Sequence, residues 1–230
     1  MKLIIVVIAL VVGLFVLTGC EFPFDSDAVQ GEGALVAHTL DVEDFTGIYL
    51  SGAYVLTFRQ AEYFSVVLEI QENLFAYLEP TVSRSGANRM LRLNASRDFN
   101  IPSGYMPRLY VYAPSLTMVH ISGAVDAYID LDLDAESFSL IVDGVASATL
   151  TGFVTTLAIN LNGVGDVEAF DLQANHANVT VNGVGSVNVW AVETLNATVR
   201  GVGSIHYIGN PTVTRNISSL AGSVSRARRH

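Results

Sequence analysis

Residues 159–168 read INLNGVGDVE and residues 179–188 read VTVNGVGSVN, so two ten-residue stretches twenty positions apart share their glycines and their apolar positions. The same element recurs around Gly123, Gly144 and Gly201. Successive glycines lie 21, 19, 20 and 18 residues apart, and a weaker sixth copy ends at Gly222. The sequence therefore contains a repeat of nearly constant length.

Residues at equivalent positions in successive copies form the columns of the repeat, and these columns predict its structure better than any single copy does. The column two residues before the glycine holds Ile121, Val142, Leu161, Val181 and Val199. The columns four before and four after the glycine are apolar too, whereas the columns between them are mixed. Alternation of this kind predicts a strand, a glycine corner and a second strand that share one inward face.

One such repeat cannot bury its own apolar face, but stacked repeats can. We therefore predict an all-β fold, a parallel β-helix (β-solenoid) with about 18–21 residues per coil in the C-terminal half. An antiparallel sandwich or barrel is the alternative, and it does not require the same residue class at every twentieth position.

Other segments carry a family resemblance. They are Phe45-Thr46-Gly47-Ile48, Val111-Tyr112-Ala113-Pro114 and Tyr207-Ile208-Gly209-Asn210-Pro211. Together with the repeats they resemble, over roughly residues 36–226, the GIN-domain family of bacterial envelope proteins, also called auto-transporter adhesin head domains. The resemblance implies a right-handed parallel β-helix and an adhesin-like role, and it implies no catalytic residues. Two departures, Ala146 in place of a second glycine and Leu220 in the last copy, predict irregular coils.

The N-terminus has the pattern of a lipoprotein signal. Lys2 precedes an apolar run of about fifteen residues, which is short for a membrane span of roughly 20. The run ends in Leu17-Thr18-Gly19-Cys20, which resembles a bacterial lipobox, and Cys20 is the single cysteine. We predict a signal peptide over 1–19, a lipidated Cys20 with a flexible tether over 20–33, one domain over 34–226 and a basic tail over 227–230. The protein is then extracytoplasmic and anchored to a bacterial membrane by its lipid.

Composition excludes several functions. The chain carries 22 acidic and 12 basic residues, so its net charge of −10 disfavours nucleic-acid binding. With Cys20 lipidated, no thiol remains for a disulfide, a nucleophile or a zinc site. Lys2 is the only lysine and leaves with the signal, which excludes lysine-based chemistry from the mature chain.

Two sets of carboxylates are candidates for chemistry. Asp130, Asp132 and Asp134 alternate and would share one strand face, where they could hold Ca²⁺ or form an ordinary solvated surface; we favour the surface. A second set comprises Asp143, Asp166, Glu168 and Asp171. A glycosidase needs two carboxylates at a defined separation, but Asp143 and Asp166 fall in different columns.

The remaining motifs have ordinary interpretations. The histidines His38, His120, His176, His206 and His230 lack partners at metal-ligand spacing, and His120 and His206 fall in outward columns. Gly163-x-Gly165 and Gly183-x-Gly185 are corner glycines and not phosphate loops, because no helix follows them. The tail Arg226-Ala227-Arg228-Arg229-His230 is the only basic cluster. It could contact anionic lipid or wall polymer, or form a solvated end that protects the last strand, and we favour the solvated end.

These observations predict a non-enzymatic, cofactor-free, lipid-anchored envelope protein. Its partners would be the membrane, through the lipid, and a glycan, a cell-wall polymer or an envelope protein. An envelope-stress scaffold or sensor is the alternative, and a carbohydrate-active enzyme is the third hypothesis.

Overall fold

The computed structural model describes residues 28–228, although for Asp132, Leu133 and Asp134 it describes the backbone alone. Almost all of this part is β structure, as the sequence predicts. The elements are β1 (Val29–Gln30), β2 (Leu35–Leu40), β3 (Gly47–Leu50), β4 (Ala53–Gln60), β5 (Ser65–Gln71), α1 (Glu72–Phe75), β6 (Leu78–Ser85), β7 (Asn88–Ala95), β8 (Phe99–Asn100), β9 (Arg108–Ala113), β10 (Met118–Ile121), β11 (Ala124–Val142), β12 (Val145–Leu161), β13 (Val164–Val181), β14 (Val184–Val199), β15 (Val202–Ile208), β16 (Thr212–Ile217) and β17 (Gly222–Arg226).

The repeats stack in parallel register, as the column pattern predicts. Ile121 pairs with Val142, and the same column continues through Leu161, Val181 and Val199 to Ile217. The interval between partners falls from 21 residues at the start to 18 at the end. The C-terminal half is therefore a β-solenoid of about 5 turns, and the predicted fold class is confirmed.

Each turn has two outward surfaces, separated by the glycine corner. The pre-glycine face is the outward surface of β3, β10, β16 and the second halves of β11 to β14. The post-glycine face is the outward surface of β4, β15, β17 and the first halves of β11 to β14. Register shifts between Leu131 and Ala135 of β11, and at the matching place in β12 and β13, mark the bend between the halves.

The predicted apolar columns form the core. Every residue of the three columns, from Val119 at one end to Ile205 at the other, is at most 2% exposed. Because neighbouring strands in a sheet lie about 4.8 Å apart, like side chains stack directly and exclude water along the whole axis. The inward faces of successive coils thus form one continuous core.

The solenoid begins earlier in the chain than the five aligned glycines indicate. Ser51-Gly52-Ala53 links β3 to β4, and these strands pair in parallel with β10 and β11. Leu50 lies beside Ile121, and Ala53 lies beside Ala124. The repeats that align in the sequence do not include this coil, although the triplet Ser-Gly-Ala recurs unchanged at 122–124. The insertion over residues 61–117 hides the period.

That insertion, together with β2, covers the N-terminal end of the solenoid, and some of its strands pair antiparallel. β7 continues the sheet beside β3, and β6 returns antiparallel to β7. Beyond β4, β9 is parallel, whereas β5 and β2 are antiparallel. The first coil is therefore not the end of the sheet, which continues beyond it to β6 on one side and to β2 on the other.

The structure also supports the alignment of the last copy and places the ends of the domain. Gly222 pairs with Gly203, in agreement with an alignment in which Leu220 stands where the corner glycine is expected. At the N-terminus, Asn73 donates to the carbonyl of Gln30 (2.7 Å) and accepts the amide N–H of Glu32 (3.0 Å). Residues 30–32, within the segment predicted to be a tether, are thus attached to the domain.

Candidate functional site

The glycine corners bring successive turns into very close contact. A Cβ on Gly163 would overlap the carbonyl oxygen of Gly144 and would lie 2.7 Å from the carbonyl oxygen of Asp143. Gly123, Gly144, Gly183 and Gly201 have the same relation to the glycine one turn earlier. The obstructing atoms are backbone atoms, so no side-chain movement relieves the overlap. Glycine is required here by close approach, and the corners have a packing role rather than a ligand-binding one.

A hydrogen-bonded ladder of polar side chains runs beside these corners on the pre-glycine face. Asn162 donates to Asp143 (2.8 Å), Asn182 donates to Asn162 (2.8 Å), and Arg200 donates to Asn182 (3.3 Å). All four side chains are exposed. Each carboxamide donates one of its two N–H groups within the ladder.

The ladder ends at a histidine and a tyrosine. The Nε2 atom of His120 lies 2.6 Å from Oδ2 of Asp143, and the His120 ring packs edge-on against Tyr49 at 5.0 Å. The Arg92 guanidinium lies 4.3 Å above the Tyr49 ring. Hydrogen bonds from Asn162, the larger contribution, and from His120 lower the pKa of the Asp143 carboxyl below its ordinary value. The structure thus pairs two residues, His120 and Asp143, that the sequence left in separate columns.

A shallow hollow of about 200 Å³ lies on the post-glycine face around Tyr128. Its polar lining consists of Thr57, Arg59, Asp130, Thr149 and Thr151. Tyr128 is 53% exposed and lies between Thr57 and Thr149 of the adjacent turns.

The polar groups of this hollow are ordered by the stacking of three turns. Asp130 pairs in register with Arg59 on one side and with Thr151 on the other, and the Thr151 hydroxyl donates to its carboxylate (2.8 Å). Arg59 in turn lies beside Tyr112, whose ring stacks on Tyr63 at 6.2 Å. Aromatic surface therefore continues along the face from the hollow. This site is not apparent from the sequence, because Arg59 and Tyr128 are 69 positions apart.

The structure does not unite the carboxylates that the glycosidase hypothesis requires. Asp143 lies on the pre-glycine face, whereas Asp166 and Glu168 lie beyond the corner on the post-glycine face. Asp166 accepts the backbone N–H of Ser186 (2.9 Å), and Glu168 accepts the side-chain amide of Asn188 (2.7 Å). Asp171 pairs with Thr151 one turn away. These acids act as members of different ladders.

The structure locates one member of the proposed calcium row. Asp130 belongs to the Tyr128 hollow, whereas the side chains of Asp132 and Asp134 lie outside the described residues. Within the described part of the chain, no three metal-ligating side chains form a group suited to a metal ion.

The histidines contact different neighbours. His38 stacks on Phe75 at 3.7 Å and approaches Glu72 at 3.2 Å. His176 contacts Thr194 (3.0 Å), and His206 contacts Ser225 (2.9 Å). His230 lies outside the described residues, as does Cys20. Among the residues that are described, no helix is long and apolar enough to cross a bilayer.

A column of exposed valines separates the two polar faces. Val145, Val164, Val184 and Val202 pair in register and are 48–55% exposed. They stand next to the corner glycines, so their exposure follows from the bend of the backbone. The sequence shows that valine recurs in this column but not that the valine side chains are exposed.

Stacked coils, continuous side-chain ladders and a shallow aromatic hollow place the protein among the β-solenoids that present an extended, regular surface. Residues 44–211 match the family model described as "Putative auto-transporter adhesin, head GIN domain", and the chain belongs to this family. The resemblance noted from the repeats is thereby confirmed.

A solved structure has the same fold, and two others show a weaker similarity. A "putative adhesin" from Bacteroides fragilis NCTC 9343 is 21% identical and has a TM-score of 0.63, and the match covers 87% of this chain and 100% of that one. "Putative adhesin" structures from Parabacteroides merdae ATCC 43184 (18% identity, 88% and 100% coverage) and Parabacteroides distasonis ATCC 8503 (20% identity, 87% and 100% coverage) each have a TM-score of 0.47. The search of curated proteins gave no match. The adhesin-like family fits a non-catalytic role and an extracytoplasmic or surface location.

Proposed function

We propose that this protein is a lipid-anchored module of the bacterial cell envelope that binds a glycan or cell-wall polymer at the Tyr128 hollow. The observation that carries the proposal is the half-exposed Tyr128 ring, flanked by Arg59, Asp130 and Thr149. A sugar ring has an apolar C–H face and a rim of hydroxyls. An exposed aromatic ring with charged and hydroxyl groups at its edge complements both.

The face around the hollow supports a polymer rather than a single sugar. Aromatic surface extends through Tyr112 and Tyr63, and the polar ladders repeat at about the 4.8 Å spacing of the strands. Because these groups sit on a rigid sheet, little conformational entropy is lost on binding. An elongated ligand can then contact several turns at once.

The lipobox supports the anchoring. Leu17, Thr18 and Gly19 precede the single cysteine, Cys20, and the apolar run before them has signal-peptide length. A diacylglyceryl group plus an amide-linked chain holds a protein stably on a membrane. Attachment of Cys20 would direct the solenoid away from the bilayer through a short tether.

Glycan binding is tested with the full chain, purified in detergent, on a panel of neutral glycans and cell-wall polymers. Tyr128→Ala is expected to weaken binding about tenfold, because an aromatic contact contributes about 1.5 kcal/mol. Tyr105→Ala is the matched control, since Tyr105 is exposed too (42%, against 53% for Tyr128) but lies outside the hollow. Equal binding by both variants, or no binding by the parent chain, would overturn the proposal. Repeating the panel in EDTA tests whether Asp130, Asp132 and Asp134 bind calcium.

Lipid attachment is tested separately by feeding cells a labelled fatty acid. The parent chain is expected to take up the label, and Cys20→Ser is expected to lose it and to remain as the unprocessed precursor. Label retained in Cys20→Ser would contradict the anchor. This result is independent of the glycan experiment.

A further inference from the structure

A second and larger hollow lies at the C-terminal end of the solenoid. Its volume is about 670 Å³, and its lining comprises Trp190, Ile208, Gly209, Arg226, Ala227 and Arg228. Trp190 pairs in register with Ile208, and the amide of Ala227 donates to the carbonyl of Tyr207 (2.8 Å). The backbone that carries the two arginines is thereby hydrogen-bonded to the last turn.

This hollow is basic in an otherwise acidic molecule. From Leu109 to Val199 the chain has ten acidic residues and no lysine or arginine, whereas arginines reappear in the final turns. Arg200 and Arg215 have partners there, Asn182 and Tyr207. In the part of the chain that the structure describes, neither Arg226 nor Arg228 forms an ion pair with a carboxylate. The field of the molecule therefore directs an anion to this end.

Gly209 keeps the floor of the hollow open. Its φ is +98°, and a Cβ there would overlap the carbonyl oxygen of Ala191 and lie 3.3 Å from Cδ1 of Trp190. A side chain at this position would occupy the space beside the indole edge. The glycine thus provides both the turn and access to the tryptophan.

We propose that the Trp190 hollow binds a carboxylate-bearing sugar, such as a uronic acid residue of an acidic polysaccharide. A guanidinium holds a carboxylate through two parallel hydrogen bonds, and two of them stand at the rim. The half-buried indole, with Ala227, offers an apolar surface for the C–H face of the sugar. This inference rests on the proposed function, to which it adds a ligand class and a second site.

Trp190 is the only tryptophan of the chain, so its fluorescence reports on this hollow alone. The full chain in detergent is titrated with oligogalacturonate, with the methyl-esterified oligomer, and with inorganic phosphate. We expect a saturable change in Trp190 emission with oligogalacturonate, at least tenfold weaker binding of the ester, and weaker binding at high salt. Phosphate, which lacks the apolar sugar face, should not compete at equal concentration.

Variants test which side chains are responsible. Arg226→Gln with Arg228→Gln should weaken oligogalacturonate binding at least tenfold, whereas Arg84→Gln, an exposed arginine on β6, should leave it unchanged. A double variant that binds normally would overturn the inference, as would an ester that binds equally or phosphate that competes equally. Circular dichroism of the double variant verifies that the solenoid is intact.

The proposals for the Trp190 hollow and the Tyr128 hollow can be refuted separately. Tyr128→Ala should bind oligogalacturonate normally, because Tyr128 lines a different hollow. If Trp190 shows no response while neutral glycans still bind through Tyr128, the second site is refuted and the proposed function stands. If neither ligand binds, both are refuted.

Discussion

Replacing Gly163 by alanine should destabilise the solenoid by about 2–3 kcal/mol, because the new Cβ would overlap the backbone of the preceding turn. The turn must move by roughly 1 Å to restore an ordinary contact with the carbonyl oxygens of Gly144 and Asp143, and a close-packed interior resists such a shift. The overlap involves main-chain atoms on both sides, so rotamer changes cannot absorb it.

The magnitude follows from the hydrogen bonds that such a shift would disrupt. The backbone N–H of Gly163 donates to the Val142 carbonyl (2.8 Å), and that of Val164 donates to the Gly144 carbonyl (2.9 Å). The side-chain amide of Asn162 donates to the Asp143 carboxylate (2.8 Å). Each contributes about 1 kcal/mol net. The alanine also restricts the unfolded chain, which restores about 0.5 kcal/mol.

Urea denaturation followed by circular dichroism measures the loss as a lower midpoint at constant slope. For a domain of this size the expected fall in Tm is about 5–10 °C. Gly86→Ala is the control: Gly86 has φ +61° and nothing within 4 Å of its Cβ position, so only backbone conformation is tested, at about 1 kcal/mol. If Gly163→Ala is no less stable than Gly86→Ala, the steric explanation of the corner glycines is wrong.

Three further predictions concern the ladder, the core and a buried amide. The hydrogen bonds that lower the pKa of Asp143 stabilise the fold above the unfolded-state pKa of about 3.9, and this stabilisation is lost as the pH falls through the lower folded-state pKa. The Tm difference between the parent chain and Asp143→Asn should therefore shrink in acid. A Tm difference that does not change with pH would contradict this prediction. Ile159→Ala, at a fully buried position, should lower the unfolding free energy by about 2–5 kcal/mol, whereas Leu220→Ala, at a fully exposed one, should change it by less than about 0.5 kcal/mol; comparable losses would refute the assigned core. The side-chain amide of Gln71 is buried without a hydrogen-bond partner among the described residues. Gln71→Met should therefore raise the urea midpoint by the equivalent of about 1 kcal/mol. A clear decrease in the urea midpoint would show that the amide is hydrogen-bonded in the folded protein.

The columns of the repeat were sufficient to predict the solenoid, because parallel stacking places each residue beside its equivalent in the next turn. The predicted inward columns are the buried ones, from Val119 to Ile205. The first coil was missed because residues 61–117 interrupt the period after Ser51-Gly52-Ala53. The antiparallel strands of that insertion were missed as well, since pairing of β5 with β2 and β9 depends on contacts distant in sequence.

The candidate sites were less accessible to sequence analysis than the fold. Asp130 was identified only as a member of an acidic row, and its partners Arg59 and Thr151 come from neighbouring turns. His120 and Asp143 were weighed separately, although they lie 2.6 Å apart. In both cases the contact runs between adjacent coils. Asp130 and Arg59 are separated by the insertion, across which the sequence shows no register, whereas His120 and Asp143 come from different columns of the repeat.

The sequence by itself therefore determined the β-solenoid, its period and its inward columns, because a local alternation of apolar residues repeats with the length of one coil. Only the tertiary structure decided where the chain first enters the solenoid and which side chains share a surface. Tyr128 with Arg59, and Trp190 with Arg226, become neighbours when turns stack about 4.8 Å apart. The period of the repeat determines the strands and inward residues of each coil, whereas the stacking of coils determines which side chains a ligand would contact together.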